Sequence, residues 1–437
     1  MFAYYLRLAL KSLRRNPILT GLMVAAIALG IGASMTSLTV LRAMSGNPLP
    51  SKEGLVLRPQ VDNWSPGRPY DEDGSPPNLL TYRDATNIVA AKQATYQAAM
   101  FPNVLTIEPE NREIKPYMLE VLFTGGDFFP MFDTPFAFGE GWNAEQDEAA
   151  ARVAVLSHDT NQRLFSGENS VGREIRLGGE TFRVVGVLGP WAPTPRFYRI
   201  SSGAFGGHED LYVPFRNGIE RELQSSDNNN CWADPGNGYK AWLDSECIWI
   251  DAWVQVGSAS ERARYSDFLA SYVNEQKKLG RFERPLNNRL SSVAEWLEEQ
   301  RVVPRDVRTQ VWMSFAFLIV CLVNTIGLLL AKFLARAPEI GLRRAVGASK
   351  RQVFTQYLTE AGMVGVFGAV VGLVLTALGL AGLRVLYADT ASGEMAQLEP
   401  GMIGITVAVA LVASLLAGLY PTWKACQITP ATQLKSN

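Results

Sequence analysis

The sequence predicts a membrane α-helical protein with four transmembrane helices and a large extracytoplasmic α+β domain. Three features of the 437 residues lead there. Four long apolar runs contain no charged side chain. Lys and Arg gather on one side of those runs. A polar stretch, punctuated by Pro and Gly, separates the first run from the second and carries strand and helix signals of its own. The net charge of -1 offers no basic face of the kind nucleic acid requires.

A helix needs about 20 mostly apolar residues to cross roughly 30 Å of hydrocarbon. Ile18 to Val40, Val311 to Leu330, Ala361 to Leu383 and Met402 to Tyr420 each fit that length. They place the transmembrane segments at 17–43, 309–334 (with a stalk leading in), 355–386 and 401–421. The first run has the basic flank and small residues, Ala33 and Ser34, of a signal peptide. It is longer than the usual h-region of about 7–15 residues, so it is read as a retained span.

Orientation follows from basic residues in the short flanks. Arg7, Lys11, Arg14 and Arg15 precede the first span, and Lys332, Arg336, Arg343, Arg344, Lys350 and Arg351 crowd the link between the second and third. The link between the third and fourth spans, 387–400, carries Asp389, Glu394 and Glu399, and the tail, 422–437, carries Lys424 and Lys435. Both termini are therefore expected in the cytoplasm of a bacterial cell, with the protein in the inner membrane and residues 44–308 outside the cytoplasm.

Cysteines agree with that topology. Cys321 lies in a span and Cys426 in the tail, whereas Cys231 and Cys247 fall in the exported domain, an oxidising place. Topology leaves Cys231–Cys247 as the expected disulfide, closing a turn-rich loop through Asp227, Asn228, Asn229, Asn230, Asp234, Pro235, Gly236 and Asn237.

Residues 1–16 have helical period. Phe2, Tyr5, Ala9 and Leu13 share one side and Arg7, Lys11, Arg14 and Arg15 another, as in an interfacial helix on a lipid surface, ending at Asn16-Pro17. In the link at 335–350, Pro338 and Glu339 suit a first helical turn, and Arg343 and Arg344 suit a last one. Gly347 suits a left-handed cap, and Ser349 with Gln352 opens the next helix. The sequence thus specifies a short separate helix, with Ile340, Leu342 and Val346 available to a partner's groove. In the third span, Gly362, Gly365, Gly368 and Gly372 permit close helix approach.

The exported domain, expected as two subdomains, contains a hairpin, Arg173–Leu177 and Thr181–Leu188, about the turn Gly178-Gly179. Ala151–Leu156 reads as a strand and Glu261–Leu279 as a helix with a stripe of Tyr265, Phe268, Leu269, Tyr272 and Val273. Ser292 and Glu295 cap a helix at Val293–Gln300, and Pro304 precedes the helix entering the second span.

No G-x-x-x-x-G-K-[ST], G-x-S-x-G, H-E-x-x-H or C-x-x-C occurs, and His158 and His208 are the two histidines. Gly206-Gly207-His208-Glu209-Asp210 is too thin a donor set for a metal. No catalytic residue, metal site or cofactor of the chain's own is expected, and it reads as a non-enzyme. The apolar cores hold no Asp, Glu, Lys or Arg of the kind that lines ion-coupled transport paths.

The phrase Glu339-Ile340-Gly341-Leu342-Arg343-Arg344-Ala345-Val346-Gly347-Ala348, set among four spans, resembles the FtsX-like permeases of ABC transporters. Val153-Ala154-Val155-Leu156-Ser157, Val171-Gly172-Arg173-Glu174-Ile175-Arg176-Leu177 and Phe182-Arg183-Val184-Val185-Gly186-Val187 are similar to the periplasmic core of macrolide-exporter-type (MacB-like) permeases. The ending Tyr420-Pro421-Thr422-Trp423-Lys424-Ala425, then Pro430-Ala431, fits the same family. The segment Gly189–Asp251 departs from it.

The resemblance implies a mechanotransmission permease without a fused ATPase. A separate ATPase subunit would bind ATP and engage Glu339, Ile340, Gly341, Leu342, Arg343, Arg344, Val346 and Gly347. A second permease chain, the same or different, would pair with it in the lipid. Movement of the periplasmic domains would export an amphiphile or peptide; the macrolide exporters also use a periplasmic adaptor and an outer-membrane duct, and the resemblance leaves open whether this chain uses either. Two other roles are implied by the wider family: a transmitter activating a periplasmic partner such as a cell-wall hydrolase, and a lipoprotein-releasing permease.

Overall fold

The computed structural model describes residues 2–110, 114–201, 203–386 and 400–427. The expected link at 387–400 lies almost wholly outside these residues, as do Pro430, Ala431 and Lys435. The described residues form two compact units, one from Met1–Ser45 with Val303–Asn437 and one from Gly46–Val302.

The chain opens with α1 (Phe2–Arg15) and α2 (Pro17–Ser45), then β1 (Val56–Gln60), β2 (Leu80–Thr81), α3 (Tyr82–Ala90), β3 (Tyr96–Glu108) and β4 (Tyr117–Thr124). It continues through α4 (Phe128–Met131), β5 (Phe136–Gly139), α5 (Ala144–Glu148), β6 (Val153–Leu156), α6 (His158–Phe165), β7 (Glu174–Leu177) and β8 (Glu180–Leu188). Next come β9 (Leu211–Pro214), α7 (Phe215–Glu220), α8 (Tyr239–Asp244), β10 (Ile248–Gln255), α9 (Ala259–Lys278), β11 (Arg289–Ser292) and α10 (Val293–Glu299). The last helices are α11 (Arg305–Leu334), α12 (Ala337–Ala345), α13 (Lys350–Leu386) and α14 (Pro400–Cys426).

In the helical unit, α2, α11, α13 and α14 are each long and apolar enough to cross a membrane. α13 packs between α2 and α14, and α11 packs on both α2 and α14. Glycines set the closest approaches. A Cβ at Gly368 would lie 2.6 Å from Ile27, and one at Gly372 would lie 3.0 Å from Ile31, both on α2. A Cβ at Gly365 would fall 1.9 Å from the Ser414 hydroxyl on α14. The helix of the fourth span continues past residue 421. α14 runs through Pro421 to Cys426 because Thr422, Ala425 and Cys426 continue its buried face, and that packing outweighs one missing backbone hydrogen bond. α1 packs on α13, with Ala9 and Leu13 buried. Part of the face the sequence assigns to lipid is therefore covered by protein.

The other unit is built on a mixed sheet in the order β11-β1-β10-β3-β4-β9-β6-β8-β5, with β2 beside β10 and β7 bridging β3 and β8. Pairs β4–β9 and β6–β8 are parallel. Both faces are covered, so successive residues serve different cores. Phe101 and Phe123 join α3 and α9 on one face, while Met100 and Leu122 join α4 and α10 on the other. The hairpin forms as expected, with Leu177 opposite Glu180 about Gly178-Gly179. On α9, Tyr265, Leu269 and Val273 are the buried stripe. Ser292 and Glu295 complete the capping box of α10.

Buried charges are paired within this core. Arg58 meets Asp251 at 2.6 Å and lies over the Trp296 ring at 4.2 Å. Glu209, expected only as a weak metal donor, accepts from Arg199 at 3.0 Å and from the Tyr198 hydroxyl. Burial works to raise the Glu209 carboxyl, but Arg199 and Arg196 hold it below the ordinary carboxylate range. The stabilisation this gives is present at neutral pH and is lost as pH falls through that lowered value. Asp210 accepts the Glu120 backbone N–H at 2.8 Å.

Cys231 and Cys247 form a disulfide, with 16 residues of sequence separation. A loop of that size is worth about 3 kcal/mol in the chain-entropy view. Cys231→Ser is expected to abolish the non-reducing gel shift and to lower the denaturation midpoint of this unit accordingly. Free alkylation of both thiols in the intact wild-type protein would contradict the assignment.

Candidate functional site: the link between the second and third spans

The link folds into α12 because its ends carry the right residues. Pro338 sits in the first turn, where its missing N–H costs nothing, beside Glu339. Gly347 takes φ +111°, closing the helix in a conformation other residues adopt only under strain. Ser349 and Gln352 then cap α13 reciprocally, with the Gln352 N–H donating to the Ser349 hydroxyl at 3.2 Å and the Ser349 N–H donating to Gln352 Oε1 at 2.9 Å.

Polar contacts fix α12 to its neighbours. Arg343 donates to Glu339 at 2.8 Å along the helix and to Gln356 of α13 at 3.0 Å. Arg344 donates to the Cys426 carbonyl at the end of α14, 3.4 Å away. Arg15, at the end of α1, lies 3.7 Å from Glu339. Ile340 is only 1% exposed and belongs to the core with Phe333, Val353 and Tyr357. It is therefore not available to a groove, contrary to the sequence reading; Gly341 is buried beside it. Leu342, at 67% exposure, and Val346, at 81%, face outward. α12 and its C-terminal cap residue thus present two aliphatic side chains on a helix held from behind.

Sequence reasoning missed the charged cluster beneath it. Lys332, near the end of α11, meets Glu360 of α13 at 2.7 Å, and both side chains are fully buried. Arg336 reaches the same carboxylate at 3.6 Å. Ser12 of α1 donates its hydroxyl to Glu360, and Arg336 donates to Ser12 through both the hydroxyl and, at 3.3 Å, the carbonyl. One carboxylate therefore ties three helices together immediately before α12. Lys332 and Glu360 fall just outside the uncharged runs, where a basic side chain looks like ordinary flanking charge.

Two family models match the chain in succession. A model of the MacB-like periplasmic core domain matches residues 20–253, and a model of the FtsX-like permease C-terminal region matches residues 311–430. The chain is 25% identical over 372 residues to the pyoverdine export ATP-binding/permease protein PvdT of Pseudomonas entomophila, covering 83% of this chain and 49% of that protein. It is 23% identical over 471 residues to the macrolide export ATP-binding/permease protein MacB of Syntrophobacter fumaroxidans, covering 99% of this chain and 64% of that one. The chain thus spans about half the length of the first of these relatives. Among solved structures, the periplasmic region of MacB from Actinobacillus actinomycetemcomitans superimposes with a TM-score of 0.37 at 11% identity, covering 60% of this chain and 94% of that one.

Proposed function

The chain belongs to the FtsX-like permeases that carry a MacB-like periplasmic core domain, and we propose that it is the membrane subunit of an ABC transporter that works by mechanotransmission. In this reading an ATPase partner docks on α12 from the cytoplasm, where both termini also lie. A second permease chain completes the assembly. ATP hydrolysis in the partner moves α12, and the movement reaches the periplasmic domain, which exports an amphiphile or peptide from the periplasm. The chain itself takes no part in the chemistry of ATP.

One observation carries the reading: α12 opens on Pro338 and is closed by Gly347, is held from behind by Ile340, Arg343 and Arg344, and with its C-terminal cap residue exposes Leu342 and Val346. A rigid helix with outward aliphatic side chains suits insertion into a partner's groove. The relatives named as ATP-binding/permease proteins support an ATPase as that partner. Leu342→Asp with Val346→Asp is expected to remove the ATPase from the purified complex while leaving the permease folded, because both side chains are exposed. Glu339→Lys is expected to weaken the same contact by reversing charge on the docking helix. Unchanged co-purification of the ATPase with the aspartate double variant would sink the docking assignment.

A further inference from the structure

The periplasmic unit contains a cavity of about 1190 Å³. Small-molecule sites commonly measure roughly 300–1,000 Å³. The cavity opens where α3, the β4–α4 turn, α5 and the start of α7 come together. Phe129, Phe136 and Trp142 give it aromatic walls. Phe129 and Trp142 pack edge to face at 5.0 Å, and Phe129 and Phe136 do so at 5.3 Å, so these rings form one fixed surface.

The charge around it is one-sided. Five carboxylates line the cavity against two basic side chains, Lys92 and Arg216. Asp133 is met from outside by Lys52 at 2.7 Å, and Asp127 accepts the Gln97 N–H at 2.9 Å. Glu140 and Glu148 are exposed, and Asp147 is half-buried on α5. Burial pushes the Asp147 carboxyl up to about 6, with Asp127 adding to the rise and the Gly126 and Phe215 N–H groups and the Trp142 indole opposing it. An anion would meet net repulsion here. A neutral ligand would bring no charge to set against the burial of Asp147. Among the described residues no three His, Cys, Asp or Glu converge as metal ligands. A diffuse positive charge carried on an apolar body gains on both counts, from the desolvated carboxylate and from the apolar lining.

We propose that this cavity binds an amphiphilic organic cation, with Asp147, Glu140 and Glu148 facing its charge and Phe129, Phe136 and Trp142 receiving its apolar body. This deepens the permease reading, and rests on it for the ligand's role as cargo.

The test uses the full chain in zwitterionic lipid nanodiscs and equilibrium dialysis against tetraphenylphosphonium, with empty nanodiscs subtracted. Tetraphenylborate, of matching shape and opposite charge, is the control. Saturable binding of the cation and none of the anion is expected. Asp147→Asn is expected to weaken the cation about tenfold, as loss of a charged partner does. Between pH 7.5 and pH 5, wild-type affinity should fall as Asp147 is protonated, since tetraphenylphosphonium has no titrating group. Asp127, Asp133, Glu140, Glu148, Lys92 and Arg216 also face the cavity, but they are common to both proteins, so the difference between the two profiles isolates Asp147. If Asp147→Asn does not fold, Glu140→Gln with Glu148→Gln tests the same charge at exposed positions, and weaker binding is expected. Absence of saturable cation binding, equal binding of tetraphenylborate, or unchanged affinity in these variants would overturn the proposal. Loss of this site with the ATPase still bound would leave the permease reading intact; absence of the ATPase would remove that reading without touching the dialysis result.

Discussion

Lys332→Met is expected to lower the stability of the helical unit by about 3–5 kcal/mol, because it leaves Glu360 buried without its nearest cation. Arg336 lies farther from the carboxylate, at 3.6 Å, and is not fully buried, so it compensates only in part. Glu360→Leu alone should cost a similar amount by stranding Lys332. The double variant Lys332→Met with Glu360→Leu should recover most of the loss, since an apolar pair of similar volume carries no desolvation penalty. Thermal unfolding of the purified chain in detergent reads all three proteins. Single variants as stable as wild type would mean that the pair is solvated rather than buried.

Gly365→Leu is expected to cost more than about 3 kcal/mol, at or beyond the upper end for overpacking. Even the first atom of a side chain would sit 1.9 Å from Ser414 Oγ and 2.4 Å from Ser414 Cβ, so α13 and α14 must separate. Gly365→Ala should be milder, and Ser414→Gly should restore much of its stability by opening the space the methyl needs. The same unfolding measurement decides it. A neutral Gly365→Leu would contradict the close contact between these helices.

What the sequence made legible was set by local chemistry. The ends of α12 could be read because Pro338, Gly347, Ser349 and Gln352 act within a turn of where they stand. The hairpin at Gly178-Gly179 could be read for the same reason. The disulfide followed from the topology expected of the sequence, in which one pair of cysteines falls outside both membrane and cytoplasm. Which side of α12 faces out was not legible: Ile340 and Leu342 are both aliphatic and two residues apart, and packing on α13 decides that Ile340 is the buried one. The strands β3, β4 and β10 were missed because both faces of the sheet are covered, which erases the alternation that marks a half-exposed strand. The Lys332–Glu360 pair and the cavity around Asp147 depend on residues brought together from distant parts of the chain, and no local pattern announces either.

The docking of an ATPase is the central claim, and affinity purification of the chain from its native membranes in mild detergent, followed by mass spectrometry, tests it most directly. A soluble ATPase subunit in stable stoichiometry with the permease is the predicted result. Its absence, under conditions that preserve other membrane complexes, would contradict the account and leave a four-span receptor or scaffold in its place.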